Sequence, residues 1–327
     1  MAKSEDTGIH SEFERKRIER LMRRGLALID SRSYPEVLEV ARELRRARYS
    51  GAYELAALAL AATGKLDKAI VALERGVEGS PGAWGLWELL GNLRSDADRF
   101  EGAADAYERA LSCVNVDVDS IRLNQAILAQ RRGNFSQALD LVELCSPREQ
   151  RLQRTSLKAS VLLNLGRPKD ALAQCSAVVC PDTPTKADRA SLARVSETHA
   201  RARLAVGDPV DRVQTQVLAA IRTYPESAGL LYFLRELRNQ RSSNAFIFHV
   251  CLSYEVDFTR RDDDTIGFTR CGRVVADDSA EAISLVRDLE ASTLPFQSDP
   301  EVERVRKSET DLKGVFVLSP QAYFSRA

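Results

Sequence analysis

The sequence predicts a mainly α-helical chain: helical hairpins stacked into an α-α superhelix, followed by a small α+β domain. Three observations lead there. A short phrase recurs through the first two-thirds of the chain at intervals of 33–35 residues. Ala, Leu, Arg and Glu abound while aromatic residues are only 6% of the 327, a mixture that favours helices over a β-sandwich. Beyond Asn244 the apolar residues change from helical spacing to alternation.

The recurring phrase is Gly64-Lys65-Leu66-Asp67-Lys68-Ala69. It returns as Asp98-Arg99-Phe100-Glu101-Gly102-Ala103, as Gly133-Asn134-Phe135-Ser136-Gln137-Ala138 and as Gly166-Arg167-Pro168-Lys169-Asp170-Ala171. Weaker copies begin at Arg32 and at Gly207. Each phrase reads as a turn between two helices. Its first residue takes the left-handed conformation that ends one helix, which Gly adopts without a steric penalty. The small residue five places on opens the second helix where two backbones approach closely. Apolar residues then follow at helical spacing, as in Ala69, Leu73 and Gly76, or Ala103, Tyr107 and Ala110.

These residues resemble the tetratricopeptide repeat (TPR) family, whose repeat of about 34 residues carries a W-x2-LG pattern, then Gly, Ala, an aromatic, Ala and Pro. Trp87, Leu90, Gly91, Ala103, Tyr107 and Ala110 match it closely, as do Tyr53, Leu60, Gly64, Ala69, Leu73 and Pro81. The other copies are degenerate. The first keeps Gly25, Leu28, Val37 and Ala41, and the fourth Ala126, Gly133, Ala138 and Val142. The fifth keeps Ala159, Leu162, Gly166 and Ala171; the sixth keeps Ala200, Gly207, Val213, Val217, Ala220 and Pro225. The expected layout is a flexible lead at residues 1–10, then a repeat domain over 11–241. Its six hairpins are closed by a capping helix at 228–240, because a solenoid must cover its last apolar face. The α+β domain takes residues 244–327.

In that last segment Phe246, Phe248, Val250, Leu252, Tyr254 and Val256 alternate as a strand does. Residues 260–264 read as a charged turn and 265–276 as a second strand. Asp278 and Glu281 stand in capping-box positions ahead of a helix carrying Ala282, Ile283, Leu285, Val286 and Leu289. Residues 301–307 read as a short helix and 314–318 as a strand. The motifs of this domain match no named family.

Composition narrows the function. Lys plus Arg and Asp plus Glu are 47 each, so no global charge draws the chain to nucleic acid or anionic lipid, and neither partner is expected. The N-terminal stretch has no apolar core of signal-peptide length and no run is long enough to span a membrane, so the expected location is the cytoplasm. Cys113, Cys145, Cys175, Cys180, Cys251 and Cys271 contain no CxxC pair, and the histidines are His10, His199 and His249. These spacings predict reduced thiols and no metal site. Counted from Asp262, an EF-hand loop would need ligands where Ile266 and Arg273 stand, so Asp262, Asp263 and Asp264 read as a solvated turn. No phosphate loop, HExxH or GxSxG occurs, so neither cofactor nor catalysis is expected. His249 and Cys251, two residues apart on one strand face, are the first candidates if the domain were a small enzyme. Arg42, Arg45, Arg46 and Arg48 read as a solvated basic face.

The resemblance implies a protein or peptide partner held in the concave groove, which the first helix of each hairpin lines. The register places Glu54, Glu88, Asn92, Asn124, Ser156, Ser160, Arg194, Glu197 and Arg201 there. Family members that hold the acidic tails of heat-shock chaperones use two Asn with Lys and Arg. Asn92 and Asn124 fall at the Asn positions, but Glu88, Gln153 and Leu157 replace the cations, which argues against an acidic tail. The expected function is a non-enzymatic adaptor or scaffold. The alternatives are a regulatory or immunity-type inhibitor, or a small enzyme whose substrate the repeats recruit.

Overall fold

The computed structural model describes residues 3–146, 151–255, 265–290, 295, 296 and 298–325. The chain divides into two compact units, 1–149 and 150–327. The expected turn at 262–264 lies outside the described residues.

The first unit is four helical hairpins: α1 (Lys3–Asp30) with α2 (Tyr34–Arg46), α3 (Gly51–Ala62) with α4 (Leu66–Gly79), α5 (Trp84–Asp96) with α6 (Phe100–Leu111), and α7 (Val118–Arg131) with α8 (Phe135–Glu143). The turn residue of the phrase is left-handed in every copy: φ is +75° at Gly64 and +77° at Gly133, but also +60° at Arg32 and +55° at Asp98. A non-Gly residue in that conformation costs about 1–2 kcal/mol. Asp98 recovers part of it by accepting from Arg131 at 3.0 Å.

The phrase's Ala marks the close crossing. Ala69, Ala103 and Ala138 are all fully buried. On the facing helix Gly91 lies flat against the Tyr107 ring: a Cβ there would sit 2.4 Å from Tyr107 Cε1. Apolar clusters run from hairpin to hairpin. One joins Ile70 and Leu73 of α4 to Leu86, Leu90 and Leu93 of α5, and another joins Tyr107 and Ala110 of α6 to Ile121 and Leu128 of α7. Ion pairs repeat at the same period, Arg99 to Asp67 at 2.6 Å and Arg131 to Asp98 at 3.0 Å. Both are exposed and contribute at most about 1 kcal/mol each.

The second unit holds α9 (Arg151–Asn164) with α10 (Pro168–Ser176), α11 (Lys186–Ala205) with α12 (Val210–Thr223), and then α13 (Ala228–Arg238). A five-stranded antiparallel sheet follows: β1 (Phe246–Glu255), β2 (Thr265–Ala276), β3 (Glu301–Lys307), β4 (Gly314–Leu318) and β5 (Ala322–Ser325). Its order is β3-β1-β2-β4, with β5 also on β2. Between β2 and β3 lies α14 (Ser279–Arg287), capped as expected by the Asp278 carboxylate accepting from the Glu281 amide at 2.9 Å. Residues 301–307, expected as a helix, are instead the edge strand β3. Val302 pairs with Val250 and packs on the core, Glu301 and Glu303 alternate to the outer face, and the exposed Arg304 lays its guanidinium over the Phe246 ring at 4.7 Å, charges that protect the edge. β5 was not foreseen.

The sheet and the last helices share one hydrophobic cluster. It contains Val217 and Ile221 of α12, Leu230, Leu231 and Phe233 of α13, and Phe248, Val250 and Leu252 of β1. The boundary expected at 241–244 runs through this cluster. Polar fastenings reinforce it. Arg222 of α12 donates to the Leu289 and Glu290 carbonyls at 3.0 Å each, just past α14. Arg235 of α13 donates to the carbonyls of Leu312 and Lys313 ahead of β4. Arg270 of β2 and Glu290, just past α14, form a buried pair at 2.5 Å, and Arg270 also donates to the carbonyl of Ser319, just past β4, at 2.6 Å. Removing one partner of such a pair leaves an uncompensated buried charge and costs about 3–5 kcal/mol. No helix among the described residues is long and apolar enough to cross a membrane.

Two stability predictions follow from these contacts. Ala103→Leu and Gly91→Ala overpack a helix crossing and should each cost about 1–3 kcal/mol, whereas Ala97→Leu, at the end of α5, should cost much less. Thermal melts compare them, and equal small losses would refute the register. A fragment of residues 1–146 should melt cooperatively, because each hairpin contacts mainly its neighbours. A fragment ending at residue 240 should melt below the full chain and bind a hydrophobic dye, because it uncovers Leu230 and Phe233. Calorimetry and dye fluorescence check both.

Candidate functional site

In the first unit, α3, α5 and α7 are the first helices of successive hairpins and lie side by side. Glu54 stands on α3, Glu88 and Asn92 on α5, and Asn124 on α7; all four are half-buried. They form a polar row. Glu88 Oε1 accepts from Asn124 Nδ2 at 2.8 Å and from the Ser120 hydroxyl at 2.6 Å. Asn92 Oδ1 accepts from the Tyr107 hydroxyl at 2.7 Å. Burial first, and then Asp96 and Glu88, raise the Tyr107 pKa, so the phenol stays a donor. Each amide thus has one half engaged. Among the described residues no hydrogen bond engages Asn92 Nδ2 or Asn124 Oδ1, a donor and an acceptor for a further partner.

Glu54 has less support. Burial, and next the Glu88 carboxylate, raise its pKa above the usual range. Two half-buried carboxylates in one row, with Glu54 destabilised by its neighbour, make a place where an incoming cation gains.

The second unit treats its expected groove residues differently. Ser156 is only 4% exposed and faces the packed interior of the unit. Ser160 is half-buried on the same helix. Glu197 and Arg201 tie α11 to α13: they pair with each other at 2.9 Å, Arg201 pairs with Glu236 at 3.0 Å, and its guanidinium lies 4.1 Å from the centre of the Phe233 ring. The Glu197 carboxylate rests against Gly229, where a Cβ would approach it to 2.0 Å. Arg194 is exposed and, with Lys186 and Arg189, borders a cleft of about 630 Å³ beside Tyr224 and Pro225.

The expectation of six reduced thiols is corrected. Cys251 and Cys271 are disulfide-bonded, and Cys113, Cys145, Cys175 and Cys180 are free. A Cys251 thiolate paired with His249 is therefore not available in this state. The reason is register: β1 and β2 pair so that Cys251 faces Cys271 directly, twenty residues away in sequence. That register also brings His249 to the two sulfurs, and among the described residues these three form a set whose donor atoms would suit a metal ion. Spacing rules built on short loops cannot find such a set. Sequence reasoning also missed Ser120 and Tyr107 as supports of the polar row. Ser120 lies four residues before Asn124, one helical turn away, which was the available signal.

No family model and no curated protein sequence matches the chain. Solved structures do. The Cut9–Hcn1 hetero-tetramer of the APC/C superposes with a TM-score of 0.56 at 11% identity, over 66% of this chain and 41% of that one. The chain thus spans well under half the length of that neighbour. PilW, a type IV pilus biogenesis factor, gives 0.53 at 14% identity, over 66% and 98% of the two chains. PilF of Pseudomonas aeruginosa gives 0.50 at 15% identity, over 67% and 97%. The class is thus an α-α solenoid with a small α+β appendage. Its helical hairpins have the tetratricopeptide fold.

The raised Glu54 pKa has a signed consequence. The folded chain holds a proton on Glu54 more tightly than the unfolded chain does, so this group favours folding at low pH. That advantage is lost as pH rises from the ordinary carboxylate pKa through the raised one. Glu54→Gln should therefore raise the melting temperature at about pH 7 and leave it nearly unchanged at about pH 4. The same shift at both values would show that Glu54 is not repelled.

Proposed function

We propose that the chain is a non-enzymatic adaptor that binds a protein or peptide segment along the α3–α5–α7 row, and that the segment is basic or neutral rather than acidic. The observation that carries this reading is the Glu54–Glu88 pair. A Lys or Arg of a ligand would neutralise a carboxylate that burial and its neighbour destabilise. The Asn92 donor and the Asn124 acceptor suit an extended backbone, which offers one of each at every residue. A carboxylate at Glu88, where an acidic tail would need a cation, turns the row away from acidic tails. Arg194, with its basic cleft, is a separate feature of the second unit and is proposed as a secondary contact; Ser156, Ser160, Glu197 and Arg201 are proposed as its framework. The sheet serves as the closing cap of the last helices and presents its outer face to solvent. The repeat region is proposed to end functionally near residue 241, with residues 244–327 forming the capping domain. The proposed location is the cytoplasm: the four free cysteines fit a reducing compartment, whereas the Cys251–Cys271 disulfide would have to open there.

Fluorescence anisotropy with short labelled peptides tests the reading. A Lys/Arg-rich peptide should bind the full chain more tightly than a Glu-rich one, and binding should weaken as pH falls and Glu54 takes up a proton. Replacing both Asn92 and Asn124 with Ala removes two hydrogen bonds of about 0.5–1.5 kcal/mol each, a loss of about five- to a hundred-fold in affinity. Glu54→Lys with Glu88→Lys should reverse the charge preference. Equal binding of both peptides, unchanged in every variant, would move the contact elsewhere on the chain.

A further inference from the structure

The outer face of the sheet carries a set of soft ligand atoms that peptide binding does not use. His249 and Cys251 are two residues apart on β1, so both side chains leave the same face. Cys271 is the direct cross-strand neighbour of Cys251 on β2. One nitrogen of His249 and the two sulfurs lie within 4.8 Å of one another. The alternate residues Phe248, Val250 and Leu252 fill the core behind them, which fixes the strand that carries the site. The front is open: His249 is exposed and both cysteines are half-buried. Across the face Glu303 pairs with His249 and Glu301 with Cys251 from β3, and Arg273 pairs with His249 from β2.

We propose that, with the disulfide reduced, His249, Cys251 and Cys271 form a zinc site of two thiolates and one imidazole, with a fourth position open to an exchangeable ligand. Thiolate and imidazole donors together select zinc over the hard cations, and three protein ligands leave one tetrahedral position free. With Zn–S near 2.3 Å and Zn–N near 2.0–2.1 Å, tetrahedral donors stand about 3.5–3.8 Å apart. The donor atoms already lie within 4.8 Å of one another, and the Cα atoms of Cys251 and Cys271 are 4.2 Å apart, so the site asks for rotation of the side chains about paired strands. Two thiolates offset the charge of Zn²⁺ and the imidazole is neutral, so the loaded site adds no net charge beside Arg273.

The disulfide and the metal exclude each other, because the metal needs both sulfurs as thiolates. A dithiol reductant passes two electrons and two protons to the Cys251–Cys271 bond and itself becomes a disulfide. Zn²⁺ then replaces the two thiol protons, which leave to solvent. In the reverse direction a small-molecule disulfide takes two electrons from the thiolates, the S–S bond re-forms and Zn²⁺ departs. The face is in effect a redox-gated zinc site.

The test uses the full chain, split into a sample reduced with a phosphine and desalted without oxygen, and a sample oxidised with glutathione disulfide. Zinc alone is titrated into each against a chromophoric chelator. The reduced chain should bind one equivalent and the oxidised chain should bind none at that site. His249→Ala, Cys251→Ser and Cys271→Ser should each weaken the reduced chain's affinity at least about a hundredfold, more than the roughly 10–100-fold that loss of an outer-shell partner costs. Cys113→Ser and Cys180→Ser should leave it unchanged. Cobalt should give thiolate-to-metal charge-transfer absorption in the reduced chain and lose it in Cys251→Ser. Circular dichroism should show that His249→Ala, an exposed change, keeps the fold. Equal zinc uptake by reduced and oxidised chains, or by the reduced chain and Cys251→Ser, would overturn the proposal. So would a reduced chain that takes up no zinc.

Discussion

A two-helix repeat has two apolar faces and can bury only one by closing on itself. The other stays bare until a neighbour covers it, and the whole architecture answers that constraint. In the first unit the answer is another hairpin: Leu90 and Leu93 of α5 complete the cluster that Ile70 and Leu73 of α4 begin. In the second unit it is a change of secondary structure. A sheet face bearing Phe248, Val250 and Leu252 lies in the same cluster as Ile221, Leu230 and Phe233. A sheet ends the series well because its far side can be polar, whereas another helix pair would present the same bare face again.

Close coverage requires small residues at the crossings. Ala103 has no exposed surface, and Gly91 leaves room for the flat of the Tyr107 ring. Tyr107 then does two things. Its ring packs the crossing, and its hydroxyl fixes the Asn92 amide. The packing rule of the repeat thus sets the orientation of a residue in the candidate groove. The carboxylates tell the complementary story. Glu54 and Glu88 come into one row because equivalent helices repeat side by side; burial first, and then the Glu88 charge, raise the Glu54 pKa, while Glu88 accepts from Ser120 and Asn124.

What the sequence revealed follows from how local the signal is. The hairpins were readable because the turn phrase, its left-handed residue and its buried Ala sit within six residues of one another. Even the degenerate copy at Arg32 takes the expected φ. The capping helix and the Asp278 cap were equally local. The strand β3 was misread because its charged sequence has an apolar partner only once it lies beside β1. The Cys251–Cys271 bond, the Arg270–Glu290 pair and the Arg222 clasp depend on partners 20 to 68 residues away, and no spacing rule reaches them. The groove residues were placed by helical register alone. Register says which face a residue occupies, but it does not say that Glu197 is committed to Arg201 or that Ser156 is covered.

The long reach of those fastenings has a consequence for how the chain is made. During synthesis, α1 to α8 can settle pair by pair as they leave the ribosome, since each helix meets its partner within a few dozen residues. The helices α12 and α13 cannot. Their apolar faces wait for β1, the Arg222 side chain waits for the carbonyl of Glu290, and Arg235 waits for that of Leu312. β1 follows α13 closely, but its sheet partners and the carbonyl that Arg235 needs come only about eighty residues after α13, several seconds at ordinary elongation rates, and until then no finished sheet covers the stripe of Leu, Ile and Phe. A chaperone that masks such stripes would find its substrate here, in the interval before β4 emerges.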